Sequence, residues 1–204
     1  MKEVATPAAK RPYRLRARAD RAAGTGERIL EAALALFAER WLDQLTLDEV
    51  AARAGVAVQT VIRRFGSKEG LIAAAGELAH ARAVARRDAA PVGDLGGALG
   101  TLLAHYEEVG DGVLRLLAQE ERWPALRPLA DAGRAAHRAW VARVFAPALA
   151  ARDEGTRARF LATLVAATDV AVWKLLRRDQ GLDRAQTELA LRDLVGALLD
   201  RRRA

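Results

Sequence analysis

Between Val58 and Phe65 the chain reads Val-Gln-Thr-Val-Ile-Arg-Arg-Phe, and this octapeptide carries two chemistries. Wound as a helix, it puts Val58, Val61, Ile62 and Phe65 on one apolar stripe. Gln59, Thr60, Arg63 and Arg64 then take the opposite face. Amide, hydroxyl and guanidinium groups are what read a DNA groove. Arginine donates twice to guanine, glutamine bonds adenine twice, and threonine meets a thymine methyl or a phosphate. Arg63 and Arg64 diverge by about 100° around the axis, so one is expected to reach bases while the other grips phosphate. Lys68 follows beside Ser67, where the first backbone N–H groups of a helix lack partners, and the pair is predicted to clamp a phosphate. Thr46, at the start of the preceding helix, is predicted to do the same.

The elements that must position these groups are written nearby. Thr46-Leu-Asp-Glu49 has the form of a capping box, a hydroxyl at the N-cap and a carboxylate three residues later. It predicts a short helix over 47–54, stopped by Gly55 in the left-handed conformation. A second short helix over 58–65 ends at Gly66, and helix, glycine turn, helix is a helix-turn-helix. Ser67 caps a longer helix over about 68–88, with Glu69 in its first turn. Upstream, Ile29, Leu30, Ala33, Leu34 and Phe37 recur at helical spacing, with Thr25 as the expected N-cap. Residues 1–24 lack periodicity, carry Pro7 and Pro12, and are expected to form a disordered basic arm. Within 2–21, seven basic residues face two acidic ones, and Arg11, Arg14, Arg16 and Arg18 could follow a DNA backbone or enter a minor groove.

Two stretches, Thr46-Leu-Asp-Glu-Val-Ala-Ala-Arg-Ala-Gly-Val56 and Thr60-Val-Ile-Arg-Arg-Phe-Gly-Ser-Lys-Glu-Gly-Leu71, resemble the DNA-binding domain of TetR-type transcriptional regulators. The motif match spans about residues 25–75. The resemblance implies a homodimeric one-component repressor whose first three helices, with the start of the fourth, bind a palindromic operator. It further implies that helices 4–7 enclose a small-molecule pocket and that helices 8 and 9 pair with those of a second copy. By position, Thr46, Thr60, Arg63, Arg64 and Lys68 fall where the family contacts DNA. Where many members place a phosphate-binding tyrosine this chain has Ile62, which cannot donate a hydrogen bond; the expected operator sequence is affected, DNA binding is not.

The remainder is expected to be helical too. Segments are predicted over 94–109 and 113–121, separated by a Gly110-Asp-Gly112 turn, and over 126–149, bent near Pro128 and Pro147. Two more follow, from an Asp153 cap to about 178 and from an Asp183 cap to about 200. The expected fold class is all-α with about nine helices. The domains are a basic arm over 1–24, a three-helix helix-turn-helix domain over 25–70, and a ligand-binding and dimerisation domain over 71–204. Phe160, Leu161, Leu164, Val165, Val170, Val172, Trp173, Leu175 and Leu176 occupy much of the circumference of the penultimate helix, and such a helix must be buried on more than one side. A partner subunit or the chain's own core could supply the second side. Leu191, Leu194, Val195 and Leu198 form a stripe on the last helix. His105, Tyr106, Trp123, His137, Trp140 and Thr168 are amphipathic residues of the middle helices, of the kind that line pockets for mostly apolar ligands. As core filler and surface histidines they need no ligand. Asp169 stands in an apolar stretch, and a buried carboxylate there would need a partner.

Composition agrees with a helical DNA-binding protein and excludes other classes. Of 204 residues, 51% are hydrophobic, 5% aromatic and six are proline, and 47 are alanine, a strong helix former and poor strand former. Lys and Arg number 33 against 26 Asp and Glu, a net charge of +7, and residues 1–90 hold 16 basic and 11 acidic residues. A cationic N-terminal region favours a polyanionic partner. The absence of cysteine removes disulfides, thiolate metal sites and cysteine nucleophiles, and is compatible with a cytoplasmic protein. His80, His105 and His137 have no metal-ligand spacing, and no HExxH, GxSxG or GxxxxGK[ST] occurs, so neither enzyme nor cofactor chemistry is expected. No apolar run reaches the roughly 18 residues of a membrane helix. The alternative to a ligand-responsive regulator is a ligand-independent DNA-binding or architectural protein, which needs no pocket in 91–180.

Overall fold

The computed structural model describes residues 10–200, with side chains from Ala23 onward. Every element among the described residues is helical, and the chain divides into two compact units, one through Ala75 and one from Gly76. No described helix is long and apolar enough to cross a membrane.

The first unit contains α1 (Lys10–Glu39), a 3-10 turn (Leu42–Gln44), α2 (Leu47–Ala54), α3 (Val58–Phe65) and the opening turns of α4 (Lys68–Arg87). Helix α1 packs on α2, and α2 on α3. Ile29, Ala33, Leu36, Leu45, Val50, Val61 and Leu71 are buried. Helix α1 corrects the expectation of a disordered arm over 1–24, since it is helical from Lys10 and runs straight through Thr25, which is not its N-cap. The reason is local. Alanine and arginine dominate 14–23, both good helix formers, and Pro12 sits in the first turn, where a missing N–H costs nothing. Residues 1–9 lie outside the described residues, as do the side chains of Arg11, Arg14, Arg16 and Arg18. The boundaries expected for α2 and α3 match those observed.

The second unit holds the rest of α4, then α5 (Leu95–Leu117), a 3-10 turn (Pro124–Leu126), α6 (Arg127–Val144), α7 (Ala146–Ala150), α8 (Glu154–Ala167), α9 (Val170–Lys174), a π-helical turn (Leu175–Asp179) and α10 (Arg184–Asp200). Leu99, Leu102, Leu103, Val141, Val144, Leu164, Trp173, Leu191 and Val195 share one core. The turn expected at Gly110-Asp-Gly112 does not exist, because α5 passes through it unbroken. Gly110 is there for packing: a Cβ built on it would lie 2.6 Å from the Trp173 ring. The long helix expected from Asp153 breaks instead at Thr168, whose hydroxyl bonds back to Leu164 O at 2.7 Å. Asp169 restarts the chain as N-cap of α9, accepting from Ala171 N at 2.8 Å.

The stripe expected on the last helix is divided between two surroundings. Leu191 and Val195 belong to the unit's own core, whereas Leu194 is 42% exposed. Phe160, Leu164, Val170 and Trp173 likewise face inward. Leu175, Leu189 and Leu194 remain as exposed large apolar side chains of this region.

Candidate nucleic-acid interface and a buried polar cluster

The helix-turn-helix is built by its caps. Thr46 Oγ1 accepts from Glu49 N at 3.2 Å while Thr46 N donates to Glu49 Oε2 at 3.1 Å, closing the capping box. The Thr46 hydroxyl also donates to Glu49 Oε2 at 2.9 Å. Hydrogen bonds from Thr46, and then from Arg40, hold the Glu49 carboxyl below its usual range. Gly55, at φ 67, makes the left-handed reversal that sends the chain from α2 into α3. Arg53 pairs with Glu39 through two bonds of 2.9 and 3.0 Å, linking α2 to α1.

Helix α3 buries Val61 and exposes Gln59, Arg63 and Arg64, with Thr60 partly covered. Among the described residues neither Arg63 nor Arg64 has a carboxylate partner. Among the described residues nothing neutralises their charges. The two guanidinium groups do diverge. Arg64 lies over α1, close enough that a Cβ on Gly26 would stand 2.3 Å from its Nη2, and 6.0 Å from the Phe65 ring centroid. Nothing comparable fixes Arg63. Ile62, expected in the apolar stripe, is 38% exposed. It sits one residue past the buried Val61, rotated off the inward face. Lys68 is half-buried in the first turn of α4, where Ser67 Oγ accepts from Gly70 N at 3.1 Å.

Five of the seven residues expected at a ligand pocket come together inside the second unit. His105 and Tyr106 are adjacent on α5, their ring centroids 5.6 Å apart. Tyr106 Oη donates to Thr168 O at 2.9 Å. Thr168 Oγ1 meets His137 Nε2 at 3.2 Å, and the His137 ring stacks on Trp140 at 6.0 Å and 19°. Trp140 Nε1 donates to Arg87 O at 3.2 Å. Burial, with the charge of Arg87 second, pushes His105 down to about 3. Burial and then the same charge push His137 down to about 4. Burial raises Tyr106. Both rings are therefore neutral at physiological pH.

Two expected members stand differently. Asp169 is half-exposed and occupied as an N-cap, so the buried carboxylate in need of a partner is not there; its charge still reaches Tyr106 and His137. Trp123 precedes the 3-10 turn at Pro124, half-buried.

The sequence reading missed Arg87. It is 8% exposed, with its guanidinium 5.7 Å from the Tyr106 centroid and 5.9 Å from that of Trp140. Its neighbour Arg86 points outward and pairs with Glu108. The only available signal was register, since Arg87 continues the line Gly76, His80, Ala83 along α4. Also unanticipated is a surface cavity of about 470 Å³ lined by Arg86, Gly97, Gly100, Thr101, Ala104, His105 and Glu108. His105 belongs both to the cavity wall and to the cluster. Among the described residues no group of three His, Asp or Glu side chains could hold a metal ion.

The first unit thus carries a helix-turn-helix with a cationic face turned outward, and the second is a helical unit with a polar core. Residues 29–75 match the family model described as bacterial regulatory proteins, tetR family. Over most of its length the chain is similar to a transcriptional regulator of Rhodococcus sp. Rha1, at 21% identity and TM-score 0.69, covering 86% of this chain and 96% of that one. A tetR-family transcriptional regulator from Streptomyces coelicolor aligns at 21% identity and TM-score 0.68, covering 87% of each chain. A multidrug binding protein, EbrR, complexed with imidazole, aligns at 26% identity and TM-score 0.54, covering 82% of this chain and 88% of that one. A comparison with curated proteins finds no match.

Proposed function

We propose that the chain is a transcriptional regulator that binds a palindromic operator as a homodimer, represses from it, and is released by a small molecule entering its C-terminal unit. The observation that carries the DNA-binding part is the face of α3. Gln59, Thr60, Arg63 and Arg64 lie together on it, and among the described residues both guanidinium charges lack carboxylate partners. A cation left unneutralised beside base-reading groups gains most from a polyanion. Thr46 and Lys68, each in or at the first turn of a helix, add phosphate contacts at its flanks.

A dimer supplies the second half-site that so short a recognition helix needs. Leu175, Leu189 and Leu194 favour an interface through the last two helical segments, since exposed large apolar groups there are otherwise left in water. The ligand-responsive reading, over a ligand-independent architectural one, is favoured by the cavity on α5 and by the polar cluster behind it. The imidazole complex of EbrR supports small-molecule binding within this fold. The proposed site of action is cytoplasmic.

The test is a gel shift on duplexes recovered by genome-wide footprinting of the protein. The Arg63→Ala, Arg64→Ala double variant is expected to lose sequence-specific retardation at moderate salt and to sediment as the wild type does. Retardation equal to wild type would overturn the assignment of α3.

A further inference from the structure

Arg87 is a charged group in an unusual position. It is more than nine-tenths buried, its Nε has no hydrogen-bond partner, and no carboxylate of the described residues pairs with it. What it has are the faces of Tyr106 and Trp140 and a side-chain hydrogen bond with Tyr106. Burying an unpaired guanidinium is costly, and chains generally supply an anion from within. Here every nearby acid is committed elsewhere. Glu108 pairs with Arg86, Asp169 caps α9, and Asp88 lies 3.7 Å from Arg143.

Two more buried polar atoms share the deficit. His105 Nδ1 and His137 Nδ1 are enclosed without partners, in rings that are 7% and 6% exposed. Three unmatched polar groups within one aromatic cluster are more than a folded core ordinarily tolerates. A neutral imidazole is a donor at one nitrogen and an acceptor at the other. His105 Nδ1 can therefore present an N–H to an anion beside Arg87. His137 cannot, because its Nε2 faces Val165 O at 3.3 Å and a Thr168 hydroxyl that already donates to Leu164 O, which puts the ring hydrogen on Nε2 and leaves Nδ1 an acceptor. A guanidinium beside a donor such as His105 fits a carboxylate, which accepts two parallel bonds. Of this cluster His105 also walls the cavity on α5, which is of a size used by small ligands.

We propose that the C-terminal unit binds a small organic acid, with the carboxylate received by Arg87 and His105 and the remainder lodged in the cavity on α5 that His105 walls. The proposal names the chemical class of the ligand invoked above and rests on that reading of the C-terminal unit.

The experiment measures thermal unfolding of the full-length protein without DNA, in the presence of millimolar benzoate, phenylacetate, hexanoate or decanoate. Control arms are the corresponding neutral amides and inorganic phosphate at equal ionic strength. At least one acid is expected to raise the melting temperature by several degrees while its amide and phosphate do not. Arg87→Met, which keeps the bulk and removes the charge, is expected to abolish that response without lowering the melting temperature of the ligand-free protein. An acid response that survives in Arg87→Met, amides or phosphate equal to the acids, or no acid response in the wild type would each overturn the proposal. So would an Arg87→Met protein that unfolds markedly earlier, which would make Arg87 a structural group. Release of footprinted DNA is scored separately. Acids that bind without releasing DNA would leave the site standing and remove the ligand-controlled regulator. Release by a neutral molecule in the absence of any acid response would do the reverse.

Discussion

Acidification from pH 7.5 to pH 5 should destabilise the second unit well before its carboxylates titrate. His105 and His137 are 7% and 6% exposed, and burial first, then the Arg87 charge, lowers them from 6.5 to about 3 and about 4. Above pH 6.5 both rings are neutral folded or unfolded, and neither makes stability depend on pH. Below it the unfolded chain takes up protons that the folded chain refuses, so folding becomes less favourable as pH falls and levels off only near the folded values. Each pH unit below 6.5 costs about 1.4 kcal/mol per ring, hence about 2 kcal/mol per ring at pH 5 and about 4 kcal/mol for both. That is a large part of a typical domain stability of about 5–15 kcal/mol. Glu107, Glu108 and Glu120 are held below 4.5 by bonds from Arg177, Arg86 and Arg134, so their contributions fade only at lower pH. Urea denaturation at fixed protein concentration, repeated across pH 7.5, 6.5, 5.75 and 5, reads the slope directly. The pair His105→Asn, His137→Gln should start less stable and then stay nearly flat across the range. A wild-type loss below about 1 kcal/mol, or an equal loss in the double variant, would refute the reasoning.

Four further outcomes are expected. Thr46→Ala removes both the acceptor for Glu49 N and a hydroxyl bond, and should cost about 1 kcal/mol in chemical denaturation. Gly110→Ala drives a methyl into the Trp173 ring and should cost about 1–3 kcal/mol, with a change in near-ultraviolet circular dichroism from the displaced indole. If Arg63 grips phosphate, Arg63→Ala should reduce the salt slope of DNA binding by about 0.9; if it reads a base, the slope persists and discrimination at one position falls by about 1–3 kcal/mol. Leu189→Glu with Leu194→Glu should yield monomers in sedimentation velocity, and an unchanged dimer would remove that interface.

The parts of the fold legible from sequence were those fixed by short-range chemistry. The capping box at Thr46 and Glu49, the left-handed Gly55 and the helical period of 58–65 are local, and α2 and α3 fall where they point. Failures came where a distant residue decided. Gly110 is a turn residue by type, but Trp173, 63 positions later, needs the space its missing side chain leaves. Thr25 looks like an N-cap because threonine often is one, yet the alanine- and arginine-rich stretch before it extends the helix. Asp169 looked anomalous in an apolar run because nothing local announced that α8 would break beside it.

Arg86 and Arg87 were inseparable for the same reason. Adjacent helical residues differ by about 100° in direction, and only the rest of the unit decides which faces water. In this chain Arg86 took the exposed side and found Glu108, while Arg87 took the buried side and found rings. The candidate DNA face was readable because its residues are neighbours in sequence. Apart from Arg87 on α4, the polar cluster was readable only as a roster of residue types, since its other members come from α5, α6 and the α8–α9 break.

One helix carries both ends of the proposed response. Helix α4 has Lys68 in its first turn and Arg87 in its last. A ligand that bound Arg87 equally well in DNA-competent and DNA-incompetent states would shift nothing, however tightly it held. Moving the population from 1:99 to 99:1 needs about 5.5 kcal/mol of differential affinity, whereas one charge-assisted hydrogen bond contributes about 1.5–3 kcal/mol. The Arg87–carboxylate contact alone therefore cannot throw the switch; the bond at His105 must differ between the states as well. Removing the free nitrogen of His105, by His105→Phe, should leave acid binding measurable by thermal shift yet weaken acid-driven release of DNA by about tenfold or more. Full release retained in that variant would show that the cluster's coupling does not run through the imidazole.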